Sequence, residues 1–296
     1  MNDSLIQDAT ALLAPAKTFE TTDRRAWLKT ALGVGYAASC LPLSAQTAVR
    51  TSSEGLVCGQ VMVNVNGFQM PVYRSMPMGK TQCPVVLVVS EIFGVHEYIA
   101  DITRRLAHQG YMALAPELML RQGDPSSYAE MGKLIAEVVS KVPDEQVMGD
   151  LDACVAWART QGGDVSQLGI TGFCWGGRIT WLYAAHNPSV KAGVAWYGRL
   201  TGPVSALNPR HAIDLVSQLK APVLGLYGGA DTGIPIEAVE NMQTALRGGN
   251  AQAQRSQIHV YANAPHAFHA DYRPSYREAE AKDGWQRMLR WFETMK

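Results

Sequence analysis

The chain has 296 residues, 47% of them hydrophobic and 18% charged, which is the composition of a globular protein with one large domain or two small ones. Its 26 basic and 26 acidic side chains balance and no long basic run stands out, so nucleic acid is not expected as a partner. The five cysteines show neither a Cys-x-x-Cys pair nor zinc-ligand spacing, which argues against a structural metal and a disulfide framework, although a single Cys58–Cys83 bridge stays open.

Residues 1–50 are expected to be an N-terminal extension that carries an export signal. In "TTDRRAWLKTALGVGYAASCLPLSAQTA", the pair Arg24-Arg25 precedes a modestly apolar run that ends in small residues, and this resembles a bacterial twin-arginine signal. Two glycines and a proline interrupt the run, so no permanent membrane span is expected. The expected location is therefore periplasmic or exported. The alternative is an amphipathic helix at the edge of a cytoplasmic protein.

The first predicted element of the remaining chain is an antiparallel hairpin. Apolar and polar residues alternate through "LVCGQVMVNVNGFQMPVYRSMP", on both sides of Asn66-Gly67. Asn-Gly readily adopts the positive φ angles that a two-residue hairpin turn needs.

Six short apolar runs follow, and they predict strands that are covered on both faces, as in a parallel sheet. Helix-like segments with apolar residues at helical spacing separate several of them, among them "EYIADITRRLAHQG" and "DEQVMGDLDACVAWARTQGG". This alternation implies right-handed crossovers and one mostly parallel sheet flanked by helices, in a single domain of residues 51–296. The six runs lie at 84–90, 111–116, 168–172, 192–198, 221–229 and 257–262.

The stretch "GFCWGG" (172–177) directly follows a predicted strand and opens a helix. Glycines on both sides of Cys174 suit the sharp strand-to-helix turn that exposes a nucleophile at the edge of a sheet. A helix N-terminus there would favour the thiolate. The alternative is a buried, inert cysteine.

Two further strand ends supply candidate partners. His266 follows the last predicted strand, and Asp231 follows the one before it through a glycine-rich turn. The chain order of cysteine, aspartate and histidine is that of the catalytic triad of α/β hydrolases. A surface histidine and an aspartate that caps the next helix are the alternatives.

The loop "SEIFGVHEYI" begins at the end of the first apolar run. Its Glu91 could oppose ionisation of a nearby thiol, or it could be a solvated surface residue. The backbone N–H groups of Ile92 and Trp175 are the expected donors to an oxyanion.

Together, "SEIFGVHEYI", "GFCWGGR", "YGGADTGIP" and "PHAFH" resemble the dienelactone hydrolase family across roughly residues 55–294. The resemblance implies an α/β-hydrolase fold and a Cys174-His266-Asp231 triad, with a thiol restrained by Glu91. It also implies opening of unsaturated lactones such as carboxymethylenebutenolide to maleylacetate, without a metal or organic cofactor. The expected partner is a small lactone or ester, and the expected assembly is a monomer or homodimer.

One position departs from the family pattern. Well-known members carry an arginine four residues after the catalytic histidine to hold the substrate carboxylate, and here that position is Ala270. Arg121, His269 and Arg273 are candidate replacements, and the alternative for each is an ordinary surface residue. Two other functions also stay open, a binding protein with a silent cysteine and, with less support, redox chemistry at Cys174.

Overall fold

The computed structural model describes residues 48–295, and the predicted export signal lies outside them almost entirely. Eight strands form one sheet in the order β1-β2-β4-β3-β5-β6-β7-β8. The strands are β1 (Leu56–Val65), β2 (Phe68–Pro77), β3 (Cys83–Val89), β4 (Met112–Pro116), β5 (Gly163–Phe173), β6 (Val190–Trp196), β7 (Val223–Gly228) and β8 (Gln257–Tyr261). The helices are α1 (Glu97–His108), α2 (Met131–Glu137), α3 (Asp144–Thr160), α4 (Trp175–His186), α5 (Ile236–Gly248), α6 (Ala251–Arg255) and α7 (Glu278–Glu293).

The predicted hairpin is confirmed as β1 and β2, which pair antiparallel along their whole length. Asn66 and Gly67 form the turn with φ angles of 51° and 92°. The side-chain oxygen of Asn64 accepts the Gly67 N–H at 3.0 Å, which closes the turn. Strand β2 continues the sheet through antiparallel pairing with β4.

The parallel part of the sheet is built from the six predicted runs, which coincide with β3 to β8. Helices cover both faces. A Cβ atom added at Gly169 would meet Phe292 and Met295 beside α7, whereas one added at Gly193 would meet Thr180 of α4. Gly169 pairs with Ala192, so Gly169 and Gly193 point to opposite faces because side chains alternate along a strand. This architecture is the α/β-hydrolase fold.

The carboxyl ends of five neighbouring strands, β3, β5, β6, β7 and β8, lie at the same edge of the sheet. Val89 pairs with Gly172, and Gly172 pairs with Ala195 in the next strand. Ala195 pairs with Gly225, and β7 and β8 extend three residues further, to the pair of Gly228 and Tyr261. The loops that follow these strands therefore lie along the carboxyl edge, where ligands bind in open α/β sheets.

Within the described residues, none of the helices is both long and apolar enough to cross a membrane. Cys58 and Cys83 are not disulfide-bonded to each other. Cys58 lies opposite Ser75 in the hairpin, and Cys83 is buried at the start of β3.

Candidate active site

Cys174 occupies a strained turn between β5 and α4. Its φ angle is +55°, a conformation that only glycine adopts without cost. A Cβ atom on Gly172 would overlap the carbonyl oxygen of Gly176, and one on Gly176 would overlap the carbonyl oxygen of Val89. The turn therefore requires glycine on both sides of the cysteine, as the sequence motif predicted.

The backbone around Cys174 is tied to the neighbouring strand. Its N–H donates to the carbonyl oxygen of Trp196 at the end of β6, at 3.0 Å. The side chain lies at the N-terminus of α4, where the helix dipole and the unpaired amides stabilise negative charge. Only 3% of Cys174 is exposed to solvent.

His266 and Asp231 meet at the same edge of the sheet. The imidazole Nδ1 lies 2.7 Å from Oδ2 of Asp231, and both residues are buried. The other carboxylate oxygen, Oδ1, accepts the backbone N–H groups of Gly233 and Ile234 at 2.8 and 3.2 Å. Asp231 therefore stabilises its own loop and binds the histidine, whereas Pro235 occupies the N-cap of α5.

His266 also interacts with the side chain of Cys174. Because Nδ1 of the imidazole is hydrogen-bonded to Asp231, Nε2 is the nitrogen that can interact with the thiol. Cys174 is thus a side-chain partner of His266 on the side away from Asp231. Burial opposes protonation of His266, but the negative charges of Asp231 and then Cys174 raise its pKa well above the usual value. The raised pKa favours the protonated imidazole, so His266 can hold a proton in this buried site.

Glu91 is fully buried beyond the end of β3, so it is not a surface residue. Its Oε2 lies 3.3 Å from Nε2 of His96, the residue before α1. Its Oε1 has no hydrogen-bond partner within residues 48–295. The charge of Glu91 acts on the buried side chains of Tyr197 and Arg273, which also interact with Cys174. Glu91 and Cys174 thus belong to one cluster.

The loop that follows Glu91 carries the first expected oxyanion donor. Ile92 and Trp175 are both buried, Ile92 beyond β3 and Trp175 at the first position of α4. Glu117, directly after β4, accepts the Val95 N–H with Oε1 at 3.1 Å and so holds this loop in place. The two expected donors therefore come from neighbouring strand ends.

Arg273 is a buried cation in this cluster and not an ordinary surface residue. Its guanidinium lies 4.9 Å from the ring centroids of both Phe93 and Tyr272. Only 5% of the residue is exposed. Burial opposes its charge, but Tyr272, Glu91 and Cys174 raise its pKa above the usual value, so it stays positively charged. Of the three candidate replacements for the family arginine, this one has a charge that interacts with Cys174.

The other two candidates lie in different surroundings. His269 is buried, accepts or donates a 2.6 Å hydrogen bond with the Tyr98 hydroxyl, and packs against Trp196. Burial lowers its pKa well below the usual value, so it is neutral. Arg121 forms a bidentate ion pair with Asp150 at 2.6 and 2.8 Å, and it lines a separate groove of about 1110 Å³ beside α3. The alternative of a surface residue is wrong for His269, whereas Arg121 is partly exposed.

Comparison with known proteins identifies the family. The model of the dienelactone hydrolase family matches residues 70–296. This chain belongs to the dienelactone hydrolase family. Among curated proteins, it is 55% identical to "Putative carboxymethylenebutenolidase" of Methylorubrum extorquens over 92% of this chain and 93% of that protein. It is also 55% identical to the protein of the same name from Escherichia coli K12, over 88% and 94%.

A solved structure agrees with this assignment. The crystal structure described as "Putative Dienelactone Hydrolase" from Klebsiella pneumoniae has 55% sequence identity and a TM-score of 0.78. The match covers 80% of this chain and 98% of that one. Membership of the dienelactone hydrolase family, together with these relatives, shows that the protein is a hydrolase.

Sequence reasoning missed three side chains of this dienelactone hydrolase cluster. His96 lies in the same motif as Glu91, but its position could not be fixed from the chain alone. Tyr197 was counted among the apolar residues of a strand, and Glu117 was not considered. Both follow the last residue of a parallel strand, so the strand-end rule that selected Asp231 and His266 could have found them.

Proposed function

We propose that this protein hydrolyses small lactones or carboxylic esters, as a monomer or homodimer without a cofactor, with Cys174 as the nucleophile. The observation that supports this most directly is the position of His266, which binds Asp231 at 2.7 Å and also interacts with Cys174. A nucleophile, a base and a group that orients the base are the three parts that covalent acyl transfer needs.

In the proposed reaction, the Cys174 thiolate attacks the carbonyl carbon of the substrate. The carbonyl oxygen becomes an oxyanion, which accepts hydrogen bonds from the backbone N–H groups of Ile92 and Trp175. The carbon–oxygen bond of the ester or lactone then breaks, and the leaving oxygen takes the proton held by His266. A thioester remains on Cys174.

Water completes the cycle. His266 takes a proton from the water as it attacks the thioester carbonyl, and the thiol leaves as thiolate. Asp231 keeps the imidazole in the tautomer and orientation that both steps require. The bond that Asp231 makes through Oδ2 alone is suited to that role, because Oδ1 is held by the loop amides.

Glu91 is proposed to restrain the thiol in the free enzyme, since a buried carboxylate opposes a second negative charge nearby. Arg273 is proposed to take over the role of the family arginine and bind an anionic oxygen of the substrate. Its burial and its contacts with two aromatic rings hold a positive charge whose field acts on Cys174. These assignments favour carboxylated lactones such as carboxymethylenebutenolide over neutral esters.

The test is turnover of carboxymethylenebutenolide and of p-nitrophenyl esters by the wild type and by Cys174→Ala. Turnover should be abolished in Cys174→Ala and unchanged in Cys58→Ala, which removes a half-buried thiol of the hairpin. Cys174→Ser should keep little activity, because a hydroxyl is a far weaker acid than a thiol. Full activity of Cys174→Ala would rule out this cysteine as the nucleophile, whereas no turnover by the wild type would favour a binding protein.

We also propose that residues 1–50 direct export through a twin-arginine pathway. The support is the Arg24-Arg25 pair before a weakly apolar run. Replacing both arginines with lysine should keep the protein in the cytoplasm of a bacterial host, whereas the wild type should be recovered outside it. Equal fractionation of the two forms would contradict the proposal.

A further inference from the structure

Tyr197 is a fully buried tyrosine directly beyond β6, and its backbone is strained. Its φ angle is +37°, which is a rare conformation for a bulky aromatic residue. The turn is held in place, because the N–H of Tyr197 donates to the carbonyl oxygen of Leu226 at 2.8 Å. Strain of this kind persists where the surrounding structure imposes it, and it is concentrated at functional sites.

The Tyr197 hydroxyl has no hydrogen-bond partner among residues 48–295, although it is buried. The hydroxyl of Tyr98 lies near enough to influence it, but without hydrogen-bond geometry, and Tyr98 forms its own 2.6 Å bond with His269. Tyr227 shows the usual arrangement for a buried tyrosine. Its hydroxyl donates to the Gly198 carbonyl at 2.9 Å and accepts from the indole N–H of Trp181 at 3.1 Å.

A buried hydroxyl without a partner lowers stability, because folding removes its hydrogen bonds to water and returns none. The hydroxyl of Tyr197 therefore does not contribute to the stability of the folded state. The hydroxyl instead lies in the cluster around the nucleophile. The ring lies 5.1 Å from the imidazole of His266, and the side chain interacts with both Glu91 and Cys174.

The hydroxyl of Tyr197 stays protonated at neutral pH and can donate a hydrogen bond. Burial, followed by the negative charge of Glu91, raises its pKa well above the usual value, so it does not ionise. It cannot act as a base. A neutral donor in a buried site beside the nucleophile can stabilise charge that develops on a substrate oxygen.

We propose that Tyr197 is a further catalytic residue, whose hydroxyl donates a hydrogen bond to the oxygen that leaves when Cys174 is acylated. This inference rests on the proposed function. As the sulfur–carbon bond forms and the carbon–oxygen bond breaks, the electron pair moves to the leaving oxygen, and His266 supplies the proton. Tyr197 keeps its own proton and stabilises that charge from the side of the imidazole on which its ring lies.

The test compares Tyr197→Phe with the wild type on acetate esters of phenols with different pKa values. A donor to the leaving oxygen matters most when the leaving group is poor. We expect kcat/KM to fall about 10- to 100-fold on phenyl acetate and less than about 3-fold on p-nitrophenyl acetate, the range for loss of a hydrogen bond to a charged oxygen. Equal losses on both esters, or none, would overturn the proposal.

Thermal unfolding separates this role from a structural one, because Phe keeps the ring and removes only the hydroxyl. The Tm of Tyr197→Phe should be unchanged or higher. The Tm of the control Tyr227→Phe should fall by roughly 2–4 °C or more, while its ratio of rates on the two esters stays that of the wild type. A fall in Tm for Tyr197→Phe like that of the control would overturn the proposal. Activity that survives in Cys174→Ala would instead contradict the proposed function itself.

Discussion

Asp231 binds His266 through one carboxylate oxygen only, at 2.7 Å, while its second oxygen accepts two backbone N–H groups of its own loop. The imidazole is therefore held by a carboxylate that cannot rotate without breaking the loop. Asp152 and His186 form a similar pair at 2.8 Å, but on the exposed surface. The two pairs share their chemistry and differ in burial, which makes the surface pair a matched control.

Replacing Asp231 with Asn should reduce kcat on p-nitrophenyl esters by about 10²- to 10⁴-fold. If the new side-chain NH₂ points at His266, it donates to Nδ1, and the imidazole is left with its proton on Nε2, where it cannot accept one from the thiol. The change Asp152→Asn should leave kcat unchanged. Comparable losses of kcat in both variants would show that the loss in Asp231→Asn does not come from its contact with His266.

Replacing Glu91 with Gln should make Cys174 more reactive in the free enzyme, because a buried carboxylate no longer opposes the thiolate. We expect alkylation of Cys174 by iodoacetamide at pH 7 to accelerate by roughly tenfold, the effect of about one pKa unit. Mass spectrometry of the labelled peptide gives the rate at this cysteine alone. Glu130→Gln, an exposed glutamate paired with Lys133, is the control. A slower reaction in Glu91→Gln would contradict the restraint.

Replacing Gly176 with Ala should prevent the turn at Cys174 from forming, because its Cβ atom would overlap the backbone of Val89 and Ser90. We expect a loss of about 3 kcal/mol or more in the free energy of unfolding, or no soluble protein. Gly149, inside α3, has open space around its Cβ position, and Ala there should stabilise the protein by about 0.5–1 kcal/mol. Urea unfolding compares the two. A stable Gly176→Ala protein would be inconsistent with this turn.

Glu117 should make stability depend on pH. Burial raises its pKa from 4.5 to about 7, with a smaller contribution from Asp124 and an opposing one from the Val95 N–H. The unfolded chain ionises at lower pH than the folded one, so stability should fall as pH rises from about 4.5 to about 7 and then level off. The shift corresponds to about 3 kcal/mol.

The variant Glu117→Gln keeps an oxygen for the Val95 N–H and removes the titration. Its free energy of unfolding should be measured in urea at pH 5 and pH 8. Between these pH values it should fall less than that of the wild type, by the contribution of Glu117. Equal falls in the two proteins would mean that Glu117 ionises in the folded state as easily as in the unfolded one.

The sequence by itself determined the fold and the chain order of the candidate nucleophile, acid and base. The alternation around Asn66-Gly67 predicts a hairpin, because period two places one face of each strand inward. Continuous apolar runs predict strands covered on both faces, and the glycines around Cys174 predict a turn without room for Cβ atoms. These are local properties of backbone and side-chain size, so neighbouring residues suffice to reveal them. The character of residues 1–50 stays a prediction from sequence.

Only the tertiary structure decided which side chains meet. Arg121, His269 and Arg273 were equal candidates in the sequence. In the folded chain the charge of Arg273 interacts with Cys174, whereas Arg121 forms an ion pair with Asp150. Tyr197 looks like one more aromatic residue of a buried strand until its hydroxyl is found without a partner. Such differences depend on contacts between residues far apart in the chain and on burial that removes water. They therefore cannot be predicted from the spacing or the composition of the sequence.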